Sequence, residues 1–136
     1  SRISVERLKG LREVLAEHPD IQVEVQAGDY TLMPAYLHTL DYLAAHSAPD
    51  AIMGFNQLIT LGALRALRMH NIAHDSLTIC GIDRLPFADI FGVPIACVAH
   101  DASLAGSSAV RLLLDRLQDP HKPRDKVVIA GQLENG

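Results

Sequence analysis

Basic residues are in short supply in this chain: 12 Lys and Arg stand against 16 Asp and Glu, for a net charge of −4. Gripping phosphates takes a basic face, so the segment carries no nucleic-acid footprint of its own. No apolar run approaches the length that spans a bilayer. No basic and apolar leader opens the chain, which starts at Ser1 rather than at Met. Cysteine is limited to Cys80 and Cys97, each in an apolar run that suits a strand. They are expected as buried free thiols of a reducing cytoplasm rather than as a disulfide. The seven histidines are scattered. His70 and His74 are four apart, but a helix end falls between them and no Cys, Asp or Glu completes a ligand set, so no metal is expected. A nucleophile elbow, a glycine-rich phosphate loop and a paired acid and base are also missing, which argues against an enzyme and gives no cofactor a place to bind. There are no repeats and no low-complexity tracts.

What is present is ordinary globular material: 136 residues, 49% hydrophobic and 21% charged, enough for one domain or one lobe of a larger one. Val5, Leu8, Leu11, Val14 and Leu15 recur at spacings of three and four, predicting a helix over 5–18 that starts near Ser4 and stops at Pro19. Ile21–Ala27 alternates as a strand would and runs into Gly28-Asp29-Tyr30. A helix over 31–46 presents Leu37, Leu40, Leu43 and Ala44 inward, with Pro34 in its first turn. Ala51–Phe55 is continuously apolar and predicts a strand buried on both faces. A third helix over 58–70 follows, dominated by Leu61, Ala63, Leu64 and Leu67, with Asn71 as a left-handed stop. Leu77–Ile82 and Ile95–Ala99 read as strands, separated by a short helix or turn over 86–91. Ser103–Gln118 reads as a helix on Leu104, Val110, Leu113, Leu114 and Leu117, and Lys126–Ala130 as a last strand. Strand alternating with helix predicts a doubly wound α/β architecture: a parallel sheet with helices on both faces.

Four predicted strands end in a group able to stack or hydrogen-bond: Tyr30, Asn56, Asp83 and His100. Arg7 opens the first helix. In an open parallel sheet, ligands bind beyond the carboxyl ends of the strands, so these ends would converge on one rim. An aromatic face, an amide, a carboxylate and an imidazole around one cleft suit a polyhydroxylated or heterocyclic ligand. Each residue also has a purely structural use. Asp83 can cap the turn that follows, Asn56 can cap a helix, Tyr30 can wall the core, His100 can serve a turn and Arg7 can be a solvated charge.

In order and spacing, these motifs resemble the effector-binding domain of LacI-family transcriptional regulators, in its C-terminal half. Arg7-Leu8-Lys9-Gly10 resembles the family's Arg-x-x-Gly, and Gly28-Asp29-Tyr30 its Gly-Asp-aromatic. Pro49-Asp50-Ala51-Ile52 with Asn56 resembles the strand ending in Asn-Asp, continued by Leu61-Gly62-Ala63. Gly81-Ile82-Asp83 resembles the Gly-aromatic-Asp signature, and Pro94 through Gly106 the Pro-Leu-Thr-Thr-Val segment. Gln57 stands where Asp is usual, His74 where Pro is usual, and Ala96-Cys97 where Thr-Thr is usual.

The resemblance implies a fragment of a type I periplasmic-binding-protein-like fold, whose helix over about 102–118 crosses to a second lobe that, like the DNA-binding headpiece, lies outside this sequence. It implies a cytoplasmic, homodimeric regulator. A small effector (a sugar, a sugar phosphate or a nucleobase) would sit against Arg7, Tyr30, Asn56, Asp83 and His100 and be coupled to operator DNA. It also implies that the dimer packs through about Leu58–Leu67 and Arg84–Phe91, making Leu58, Leu61, Leu85, Phe87 and Phe91 interface anchors rather than core. The alternative on the same fold is a periplasmic sugar-binding protein of an uptake system.

Overall fold

The computed structural model describes residues 2–73 and 76–135, the side chains of Arg2 and Phe91 excepted. Its elements are helix α1 (Arg2–Leu15), α2 (Leu32–Ala45), strand β1 (Ala51–Gly54), α3 (Gln57–Met69), β2 (Thr78–Ile82), a 3-10 turn (Ala88–Phe91), β3 (Ile95–Ala99), α4 (Ala102–Gln118) and β4 (Gln132–Glu134). The sheet has the order β1-β2-β3-β4. β1, β2 and β3 run parallel, with Ile52 beside Ile79 and Ile79 beside Ile95. β4 is antiparallel to β3, Cys97 facing Glu134. The expected α/β chain with a parallel-dominated sheet is present.

Local chemistry accounts for the α3 layer. The Asn56 side-chain oxygen accepts from the Ile59 N–H at 2.8 Å, capping α3. Along α3, Thr60, Ala63, Leu64 and Leu67 follow at i, i+3, i+4 and i+7 and are all buried. The helix stops at Asn71, which takes the expected left-handed backbone at φ 52°. α3 lies on the sheet face formed by Ile79, Gly81, Ile95 and Cys97, all of them buried. Glycine makes the approach possible, because a Cβ on Gly54 would stand 2.2 Å from Thr60 Oγ1 and one on Gly81 3.0 Å from it. Thr60 is 3% exposed, and its hydroxyl is satisfied by the Asn56 carbonyl at 3.0 Å. α2 packs on α3 in turn: Tyr36, Leu40 and Leu43 meet the core cluster of Leu64, Ala66, Leu67, Leu77, Ile79, Val93 and Ile95. Each such leucine or isoleucine contributes about 1.5–3 kcal/mol on burial.

Several expectations are corrected. β1 is not buried on both faces: its burial runs exposed, half-buried, exposed, buried. On the side of the sheet away from α3, Met53 and Val98 are exposed while Ile82 is buried, so that face is less fully covered. In α2 the inner face is turned from the one expected, with Leu37 and Ala44 exposed and Tyr36 taking part in the packing. The apolar stripe of α4 meets no cover: Leu104, Val110, Leu113, Leu114 and Leu117 are all exposed. Residues 21–29 form no strand, and Ile21, Val23 and Val25 are exposed. Alternation fixes which side chains share a face, but a strand also needs a neighbour to complete its ladder. For the same reason Lys126–Ala130 stays unpaired while the chain joins β3 six residues later, antiparallel, through Gln132–Glu134.

Candidate functional site

The carboxyl ends of β1, β2 and β3 lie side by side. Gly54 and Gly81 are register partners, so Asn56 and Asp83, each two residues further on, leave the sheet at the same level on adjacent strands. Neighbouring strands are about 4.8 Å apart, which brings the two side chains to one rim. His100 follows β3 directly, and its Nδ1 lies 2.8 Å from Asp83 Oδ1. The two side chains are partly exposed, 49% for His100 and 37% for Asp83, so the pair borders solvent. One Asp83 oxygen is engaged by the imidazole. The other retains acceptor capacity.

Asp83 has a left-handed backbone, φ 70°, a conformation that non-glycine residues adopt at some cost. Its N–H donates to the Val98 carbonyl at 2.9 Å, anchoring it to β3. It does not act as a helix cap. That role at the start of α4 belongs to Asp101, whose side chain accepts from the Leu104 N–H at 2.8 Å.

The other three expected residues meet at the end of β1. Arg7 reaches from α1 to donate to the Phe55 carbonyl, and Asn56 Nδ2 donates to the Tyr30 carbonyl at 3.3 Å. Arg7 keeps further guanidinium donors. Asn56 uses its oxygen as the α3 cap and one amide hydrogen on Tyr30, leaving the second hydrogen. Tyr30 is half-buried. The structure therefore gathers Arg7, Tyr30 and Asn56 around one strand end, and Asp83 with His100 at the next two.

Three residues absent from the expected set stand beside this rim. Gln57 Nε2 donates to the Arg84 carbonyl at 2.6 Å. Arg84 Nε donates to Glu134 Oε2 at 2.6 Å, and its Nη2 donates to Glu134 Oε1, a two-pronged pair. The Arg84 guanidinium holds the Glu134 carboxyl below its ordinary range and is itself pushed up by it. Gln57 carried a sequence signal, since it departs from the Asp usual there. Glu134 carried none, because its partner is fifty residues away.

Among the described residues no set of three or more metal-ligating side chains assembles. Cys80 and Cys97 are free, Cys97 buried and Cys80 half-buried. Cys80 is in register with Ala96 and Gly81 with Cys97, so the two thiols point to opposite faces of the sheet and cannot bond to each other. Burial pushes the Cys97 thiol up, the nearby Glu134 carboxylate adding to the effect.

Of the expected interface anchors, Leu58 and Phe87 are exposed, Phe87 by 73% and on a left-handed backbone. Leu61 is half-buried. Leu85 is half-buried and packs partly against the core cluster. The Phe91 side chain and His74 lie outside the described residues.

The family description "Periplasmic binding protein-like domain" matches residues 1–136. Over 132 residues the chain is 27% identical to the HTH-type transcriptional repressor PurR of Vibrio parahaemolyticus serotype O3:K6, a match covering 95% of this chain and 39% of that protein. The chain thus spans about two fifths of the length of the curated relatives it matches. A LacI-family transcription regulation repressor from Corynebacterium glutamicum superposes with a TM-score of 0.86 at 23% identity, over 96% of this chain and half of the other. An ABC transporter solute-binding protein from Bacillus halodurans, solved with bound myo-inositol, superposes with a TM-score of 0.82 at 20% identity, over 96% of this chain and 46% of the other. At those identities the two structures speak for the fold. The resemblance read from Arg7-Leu8-Lys9-Gly10 through Gly106 is borne out at this level: the chain belongs to the periplasmic-binding-protein-like domain family found in LacI-type regulators.

Proposed function

We propose that this chain is the effector-sensing part of a LacI-type, DNA-binding transcriptional regulator. It would hold a small sugar-like or nucleobase-like ligand at the strand-end rim and couple it to operator affinity. The observation that carries the reading is the Asp83–His100 pair, set on a left-handed Asp83 at the carboxyl end of a parallel strand. Asp83 accepts from ligand hydroxyl or N–H groups, Arg7 donates charge-assisted bonds, Asn56 and His100 orient the ligand, and Tyr30 contributes a face. The repressor relative supports the regulator reading. On this reading the regulator acts in the cytoplasm as a homodimer through Leu58, Leu61, Leu85, Phe87 and Phe91, and reaches operator DNA through a headpiece elsewhere in the longer protein. The exposed apolar stripe of α4 fits a segment that works as part of a larger fold. Coupling between effector and operator is about 1–3 kcal/mol in such systems.

The test is calorimetric titration of the full-length protein with sugars and nucleobases, followed by Asp83→Ala. The substitution is expected to cost about 1–3 kcal/mol of binding, the largest loss among the rim residues, because it leaves ligand donors unpaired. Unchanged affinity would refute the assignment. A transport receptor is the second reading, favoured only by the likeness to the solute-binding protein. The coding sequence upstream of Ser1 separates the two: a helix-turn-helix supports the regulator, and an export signal supports the receptor.

A further inference from the structure

The Asp83-Arg84 dipeptide is held from three sides, at the Asp83 N–H, the Arg84 carbonyl and the Arg84 side chain. From β3, the Val98 carbonyl takes the Asp83 N–H at 2.9 Å. From the first turn of α3, Gln57 Nε2 holds the Arg84 carbonyl at 2.6 Å. From β4, Glu134 grips the Arg84 guanidinium with both carboxylate oxygens. Glu134 is itself fixed by the antiparallel pairing of β4 with β3, opposite Cys97. A left-handed aspartate persists where its surroundings hold it, and here Asp83 is bound directly by Val98 and His100 while its neighbour Arg84 is bound by Gln57 and Glu134.

We propose that Gln57, Arg84 and Glu134 form a positioning clamp that sets the Asp83 carboxylate toward His100 and the ligand rim, and so fixes effector affinity without touching the effector. The proposal rests on the rim being the ligand site. Arg84 is exposed, and isolated exposed ion pairs contribute little to folding. Breaking the clamp therefore leaves the fold intact while Asp83 loses its posture. The clamp also ties β4, the antiparallel edge strand, to the site. That gives Gln132–Glu134 a reason for joining the sheet where it does.

The experiment uses the full-length protein and the variants Glu134→Gln, Gln57→Ala and the charge swap Arg84→Glu with Glu134→Arg. The probes are myo-inositol, D-glucose, D-ribose, adenine and guanine, followed by calorimetry, with the His100 ring-nitrogen and Asp83 amide signals read by NMR. Glu134→Gln and Gln57→Ala are each expected to weaken the bound probe by up to about fivefold, the scale of one exposed ion pair or hydrogen bond. They should also move both NMR signals while thermal unfolding changes little. The swap should recover part of the affinity and the signals. Unmoved Asp83 and His100 signals, or unmoved affinity in a wild type that binds a probe, would overturn the clamp. Should the wild type bind none of the probes, the rim reading loses its support, yet the NMR signals still decide whether the clamp holds Asp83.

Discussion

α3 and α4 are both amphipathic, both begin with a side-chain cap, and both carry leucines at helical spacing. They end in opposite circumstances. α3 buries Thr60, Ala63, Leu64, Ala66 and Leu67 against the sheet and α2, whereas α4 buries none of its residues. An apolar stripe declares that a helix has a face to cover, and it does not name the cover. The sheet shows a milder form of the same contrast: the side under α3 buries Ile79, Ile95 and Cys97, while the other side buries Ile82 and leaves Met53 and Val98 exposed.

The sharpest way to break that comparison is a pair of equal truncations. Leu67→Ala is expected to cost about 2–5 kcal/mol of unfolding free energy, because it empties a packed site. Leu113→Ala on α4 should stay within about 0.5 kcal/mol in this segment. Equal costs in denaturant unfolding would mean that α4 is covered after all. Next comes Gly54→Ala, whose new Cβ would stand 2.2 Å from Thr60 Oγ1 and 2.8 Å from the Thr60 backbone nitrogen. Overpacking at this contact should cost about 1–3 kcal/mol, and relief by Thr60→Ala in the double variant would locate the clash. Asn56→Ala removes the α3 cap and should cost about 1 kcal/mol, measured the same way.

The smallest effect is the acid response of the edge strand. Glu134 titrates below its ordinary 4.5 because Arg84 favours its charged form. A carboxyl depressed in the folded state stabilises above its unfolded pKa and loses that contribution as pH falls through the folded value. The β4 contact should therefore be intact at neutral pH and loosen only below about pH 4.5. Amide signals of residues 132–134 across an acid titration read it directly, and Glu134→Gln should abolish the response.

Much of this was legible along the chain. Caps, helical spacing and the left-handed stop at Asn71 are local physics, and they placed α1, α3, α4, β2 and β3 to within a few residues. The rim was legible as well, since parallel strands joined by helices must bring their carboxyl ends to one side. Asp83 and His100 do meet there. Ile21–Ala27 was misread because alternation was taken for pairing, and Lys126–Ala130 because a short apolar run was.

The sequence by itself determined the periodic segments, their capped ends and the order that makes a parallel sheet, because each depends on neighbours a few residues away. Only the tertiary structure decided which face of the sheet α3 covers, where β4 joins, that the thiols of Cys80 and Cys97 lie on opposite faces, and that Gln57 and Glu134 converge on Arg84. Those outcomes depend on contacts between residues tens of positions apart, set by how whole elements pack, and no local pattern encodes them.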